Sequence, residues 1–130
     1  MKYSEPEFLD PIPPEMAKRI EEFRDAHEND PIGNVGTQLL YEDDDVRVWE
    51  MRLEPGEASD LHHHEHDYVL AISSGDLVAG IPPKGGPMPV FVGIVPPQGN
   101  TVRVPKGGTE WALNVGEKPY AEILIELKTI

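Results

Sequence analysis

The stretch Gly56-Glu57-Ala58-Ser59-Asp60-Leu61-His62-His63-His64-Glu65-His66-Asp67-Tyr68, closed by Gly75, decides how this chain is read. His62 and His64 stand two residues apart. In a β-strand such residues share one face, so their imidazoles converge. Two converging neutral imidazoles are half of a metal site. Three readings of the two rings stand side by side: an exposed histidine run that scavenges metal, buried histidines without metal, and ligands of a bound ion. His63 should point away from the other two. Strict alternation would put His66 back on their face. Asp67 is placed to orient a ligand imidazole as an acceptor behind it. Asp60 and Glu65 read as solvated.

Working outward, the texture on both sides is short apolar runs broken by turn residues. Strands are expected near 36–42, 46–54, 58–64, 67–73, 77–81, 90–95, 101–104, 109–115 and 120–128. Between them lie turn signals such as Asp43-Asp44-Asp45, Pro55-Gly56, Ser74-Gly75-Asp76 and Pro105 to Gly108. Regular spacing of short strands argues for an all-β sandwich or barrel. Val69 to Ile72 and Ala121 to Leu127 are apolar on both faces, the second broken by Glu122 and Glu126. Such strands need cover on the outside, from a helix, an arm or a second copy of the chain. Only one helix is expected. Met16, Ile20 and Phe23 fall at i, i+4 and i+7 between Glu15 and Asn29, behind Pro13 and Pro14 and ahead of Asn29-Asp30-Pro31. The expected division is an N-terminal arm and helix over 1–32 and a barrel over 33–130.

Composition narrows the function classes. The chain has 130 residues, enough for one core, with a formal charge of −13 and no cysteine. An acidic surface repels phosphate backbones and anionic membranes, so neither nucleic acid nor membrane is an expected partner. Without thiolates, any metal must be held by nitrogen and oxygen. Met1 to Pro6 carries one basic residue, Lys2, with no apolar run behind it, and no stretch approaches a membrane span, so a cytoplasmic location is expected. Apolar outer strand faces favour a homodimer.

The spacing resembles the cupin superfamily. Its first motif, G-x5-H-x-H-x3,4-E-x6-G, is matched by Gly56, His62, His64, Tyr68 and Gly75, with Tyr68 in the glutamate place. Its second, G-x5-P-x-G-x2-H-x3-N, is matched by Gly99, Pro105, Gly107, Glu110 and Asn114, with Glu110 in the histidine place. The resemblance implies a double-stranded β-helix, or jelly-roll barrel, lined by the motif residues. It also implies a turn after His64, which leaves His66 near the barrel mouth as a reserve ligand. In the family, the two motifs hold one divalent metal. Carried over, the ligands here would be His62, His64 and Glu110. Two imidazoles and one carboxylate leave positions open for substrate or dioxygen and favour Fe(II), with Mn(II), Ni(II) and Zn(II) as alternatives. Tyr68 becomes a hydrogen-bond donor or acid/base, or else a packed wall residue.

Two functions follow from different classes. One is a metal-dependent enzyme on a small carboxylate or carbonyl compound, dioxygenase-like or a lyase/isomerase. The other is a non-catalytic small-molecule-binding barrel that has lost the usual metal site. The reading leans to the enzyme. Trp49 and Trp111 are expected in packing, with Trp111 the better placed to line a pocket. Arg47, Arg52 and Arg103 are expected in surface salt bridges, unless one faces inward as a carboxylate clamp.

Overall fold

A computed structural model describes residues 5–129. The reading of the extreme N-terminus, Met1 to Ser4, lies outside the described residues. The elements in chain order are β1 (Glu7–Phe8), α1 (Pro14–Ala26), β2 (Gln38–Glu42), β3 (Val46–Leu53), β4 (His62–His63), β5 (Asp67–Ser74), β6 (Leu77–Ile81), β7 (Phe91–Ile94), β8 (Asn100–Val104), β9 (Thr109–Asn114) and β10 (Tyr120–Leu127). They form two five-stranded antiparallel sheets, ordered β1-β7-β6-β9-β4 and β2-β3-β10-β5-β8. The chain passes repeatedly from one sheet to the other, and the two stack into a jelly-roll barrel, as expected.

Alternation along each strand sorts the residues into layers. Met51, Leu53, Val95 and Tyr120 meet Ile72, Val78 and Ala112 between the sheets. Val35, Tyr68 and Leu124, with Trp49, Leu70 and Val104, continue that interior. A separate cluster lies outside the first sheet, where Ile20 of α1 packs with Ala79, Ile81, Trp111 and Leu113, joined by Met16 and Phe23. The helical spacing of those three residues is thus its burial face, and α1 is cover for one sheet. Burying a side chain such as Ile20 contributes roughly 2 kcal/mol. On the second sheet, the outward residues Val48, Val69, Ala71, Ile123 and Ile125 are only half-buried.

Several expected elements are trimmed by one or two residues, and two, the helix at its C-terminal end and the strand over 58–64, lose more. The helix stops at Ala26, because Asp30 gathers the chain into a turn. Its N–H donates to the His27 carbonyl at 3.0 Å, and its carboxylate meets His27 Nδ1 at 3.0 Å and accepts from Trp111 Nε1 at 3.1 Å. The strand expected over 58–64 is reduced to His62–His63 and a single bridge, Ala58 to Leu113. Ser59 Oγ accepts the Ala112 N–H at 2.9 Å. A side chain there replaces a backbone rung, and the ladder is interrupted.

The second motif's last residue is a structural tie. Asn114 is fully buried. Its Nδ2 donates to the carbonyls of Leu53 and Lys118, both at 2.9 Å, and its Oδ1 accepts from Gly116 N at 2.9 Å. The motif glycines Gly56, Gly75, Gly99 and Gly107 all have positive φ. At Gly99, φ is +82° and a Cβ would meet the Ile72 carbonyl oxygen at 2.5 Å. No other residue fits there without moving β5.

Candidate metal centre

β4 and β9 pair antiparallel with His62 opposite Glu110. Residues directly opposite across a ladder share a face, so the carboxylate is delivered beside the imidazole by register. His64, just past β4, is fixed by its backbone. Its N–H donates to Gly108 O and its carbonyl accepts from Gly107 N, both at 2.9 Å. The two motifs are therefore hydrogen-bonded to each other at the site.

One ligand atom from each of His62, His64 and Glu110 can be chosen so that all lie within 4.8 Å of one another. His64 Nε2 stands 3.7 Å from Glu110 Oε1. Neighbouring ligands on an ion with bonds near 2.1 Å lie about 3 to 3.5 Å apart, so a small contraction closes this part of the set. Both imidazoles are 2% exposed, and their rings cross at 85° with centroids 4.8 Å apart. The Glu110 side chain is 22% exposed, which makes it the group nearest to solvent.

The His62 tautomer is set by the backbone. Nδ1 lies 2.9 Å from the Asp60 carbonyl. A carbonyl can only accept, so Nδ1 carries the proton and Nε2 presents its lone pair. Burial, the largest effect, lowers the pKa of this ring and favours the neutral, ligating form. His64 differs, because its Nδ1 is buried without a partner among the described residues. The chemistry of the set, two buried nitrogens and one hard oxygen converging from two strands, fits a divalent ion.

Gly80, on β6, makes room for the carboxylate. A Cβ there would meet Phe91 Cζ at 2.2 Å and Glu110 Oε2 at 2.8 Å. Tyr68 stacks on His64, with ring centroids 3.9 Å apart and planes 15° from parallel. Burial pushes its phenol pKa well up, reinforced by the charges of Glu110 and Glu122. It is therefore a neutral donor as well as a wall.

Other expectations divide. His63 does face away, with Nδ1 2.7 Å from Thr109 Oγ1. His66 lies in the bend between β4 and β5, half-buried. Asp67 does not orient an imidazole. Its Oδ1 accepts from Lys106 N at 2.9 Å, and Oδ2 lies 3.7 Å from Arg103, so it anchors the loop before β9. The orienting group is the Asp60 carbonyl, a backbone atom that no residue type announces. Trp111 is in the core but lines no barrel pocket. Next to inward Glu110 it must point outward, and it lies under α1. None of these three arginines faces the site as a clamp; each is paired with a carboxylate elsewhere. Arg47 pairs with Glu42 and Glu126, Arg52 with Glu50, and Arg103 with Asp67.

The acidic breaks in β10 are not surface breaks. Glu122 and Glu126 are 5% and 3% exposed and share the inward face with Tyr120 and Leu124. Glu126 Oε1 accepts from Trp49 Nε1 at 2.6 Å. Glu122 Oε1 accepts from Tyr120 Oη at 2.5 Å, while its Oε2 has no partner among the described residues. Their period-two spacing with Tyr120 and Leu124 was the signal available in the sequence.

This is the fold of the cupin superfamily, a double-stranded β-helix with the motif residues inside. Solved structures with the same fold include a cupin domain from Bordetella pertussis Tohama I, 21% identical, covering 76% of this chain and 100% of its own, with a TM-score of 0.62. A conserved protein with a double-stranded β-helix domain from Klebsiella pneumoniae is 18% identical over 84% of this chain and 86% of its own, with a TM-score of 0.57. A Cupin 2 conserved barrel domain protein from Salinispora arenicola is 16% identical over 78% and 82%, with a TM-score of 0.52. No protein-family model and no curated protein matches the chain. Among the described residues, no helix is long and apolar enough to cross a membrane.

Proposed function

We propose that the chain is a metal-dependent cupin enzyme acting on a small carboxylate or carbonyl compound, by oxygenase-like or lyase/isomerase chemistry. The observation that carries this reading is the convergence of His62, His64 and Glu110 donor atoms within 4.8 Å. These three residues would hold the ion, with Fe(II) favoured and Mn(II), Ni(II) or Zn(II) as alternatives. When bound, such an ion polarises oxygen ligands of a substrate or activates dioxygen. The chain's own contribution is to hold His62 in the ligating tautomer, to exclude water around both rings, and to offer the neutral Tyr68 hydroxyl as a donor.

The test is the metal content of protein purified without a histidine tag. Near-stoichiometric metal that is lost in His62→Ala and Glu110→Ala supports the reading, and metal-free protein that ignores added ions and chelator removes it. Tyr68→Phe keeps the ring on His64 and deletes only the donor. Turnover falling about a hundredfold with metal retained is expected, and equal turnover takes Tyr68 out of the mechanism. A second reading, a barrel that binds a small molecule without changing it, is favoured by one feature. Tyr68 stands in a ligand place and stacks on His64, which leaves three donors instead of four.

A further inference from the structure

We propose that Glu122, braced by Tyr120, is a second polar subsite inside the barrel that takes a hydroxyl group of the bound small molecule. The proposal rests on the reading of the barrel interior as a small-molecule site, with or without metal.

The placement comes from register. Glu122 pairs with Met51 on β3 and Ile72 on β5, both of which join the interior cluster. Tyr120 and Leu124, two residues to either side, are also buried interior residues. The carboxyl therefore points between the sheets. The negative charge of Glu110, on the opposite sheet, acts on Glu122, Tyr120 and Tyr68 alike. All of them face the interior between the two sheets, as the candidate metal centre does.

The two carboxyl oxygens differ. Oε1 is occupied by the Tyr120 hydroxyl at 2.5 Å. Oε2 is buried and unpartnered among the described residues. Buried polar atoms are nearly always satisfied, and leaving one unmet costs about 1 to 3 kcal/mol. A carboxyl whose only role is packing would be replaced by an apolar side chain at a gain. The neighbours Glu126 and Asn114, by contrast, have partners for their buried groups and act as ties.

The chemistry selects the occupant. Burial pushes the Glu122 carboxyl up to about 7, well above the ordinary carboxylate range. Oε2 is then an O–H donor in one state and an acceptor in the other. A hydroxyl answers both, because it donates and accepts. A second carboxylate would add charge beside Glu110 and Glu122. The expected ligand is a small hydroxy-carboxylate or hydroxy-carbonyl compound, its carboxylate or carbonyl at the His62, His64 and Glu110 end and its hydroxyl at Glu122.

The test compares glycolate, 3-hydroxypropionate and 4-hydroxybutyrate with acetate, propionate and butyrate, by calorimetry on the full chain with and without Mn(II). At least one hydroxy compound is expected to bind about tenfold tighter than its deoxy partner, the factor one hydrogen bond to such a group supplies. The preference should vanish in Glu122→Met, which removes the polar atoms at similar size, and survive within about threefold in Glu122→Gln. Mn(II) affinity should be unchanged in both variants. Absence of any hydroxyl preference, including absence of binding, overturns the proposal, as does a preference that persists in Glu122→Met. Loss of Mn(II) binding in the wild type would instead overturn the metal reading, and hydroxyacetone against acetone, an uncharged pair compared on the metal-free protein, would still decide this one.

Discussion

His62 and Glu110 face each other across the two-residue ladder of β4 and β9. One comes from the first motif and one from the second, and only the strand register makes them neighbours. The candidate centre is thus a property of pairing as much as of residue type. Glu110→Gln keeps size and register but weakens the donor. The expected result is a fall of at least about a hundredfold in affinity for Mn(II), with an unchanged melting curve in chelator, read by calorimetry.

Gly80 tests the space around that carboxylate. In Gly80→Ala the new methyl meets Phe91 and Glu110 together. Overpacking of this kind costs about 1 to 3 kcal/mol. Metal affinity should fall in the same variant, because the carboxylate is pushed out of line. Gly86→Ala is the control, since its Cβ meets only the Pro83 carbonyl oxygen at 3.7 Å. Urea unfolding of the two variants compares them directly.

Glu122 makes stability depend on pH. Burial, the main cause, and the charge of Glu110 raise its carboxyl from 4.5 to about 7 against the opposing Tyr120 hydrogen bond. The folded chain therefore keeps a proton that the unfolded chain releases. Stability from this group is greatest below its ordinary value and declines as pH climbs through the folded value. Relative to Glu122→Gln, metal-free wild type should lose about 3 kcal/mol between acid and mildly alkaline solution. Denaturant midpoints for both proteins at about pH 4 and about pH 8 read this; parallel curves would contradict it.

Asn114→Ala removes three hydrogen bonds at once and leaves the Leu53 and Lys118 carbonyls without their donor. A loss of about 3 kcal/mol is expected by chemical denaturation. None of its hydrogen bonds goes to the three candidate ligands, so Mn(II) affinity of the folded fraction should match wild type.

Much of this was legible in the chain. The H-x-H spacing pointed to His62 and His64 on one face by the strand period; β4 itself ends at His63, and backbone bonds to Gly107 and Gly108 hold His64 in place. Glu110 was reachable only through motif spacing, because the β4–β9 register joins segments that are distant in sequence. Glu122 and Glu126 read as interruptions of an apolar strand. A run apolar on both faces hides which face is inward, and acids are rarely expected inside. The group that orients His62 is a backbone carbonyl, which composition cannot reveal. Asp67, beside Tyr68, had the right chemistry for that task, but its carboxylate turns to the Lys106 N–H instead. The long strand expected before His64 failed at Ser59, whose hydroxyl displaced a backbone rung.

The reciprocal hydrogen bonds between His64 and the Gly107-Gly108 backbone have a kinetic meaning. Local opening that peeled the two-residue β4 from β9 would scatter the donors while the longer ladders stayed closed. A captured ion would then act as a clasp on this seam, slowing amide exchange there in proportion to its free concentration while leaving the β3–β10–β5 ladder at its own pace.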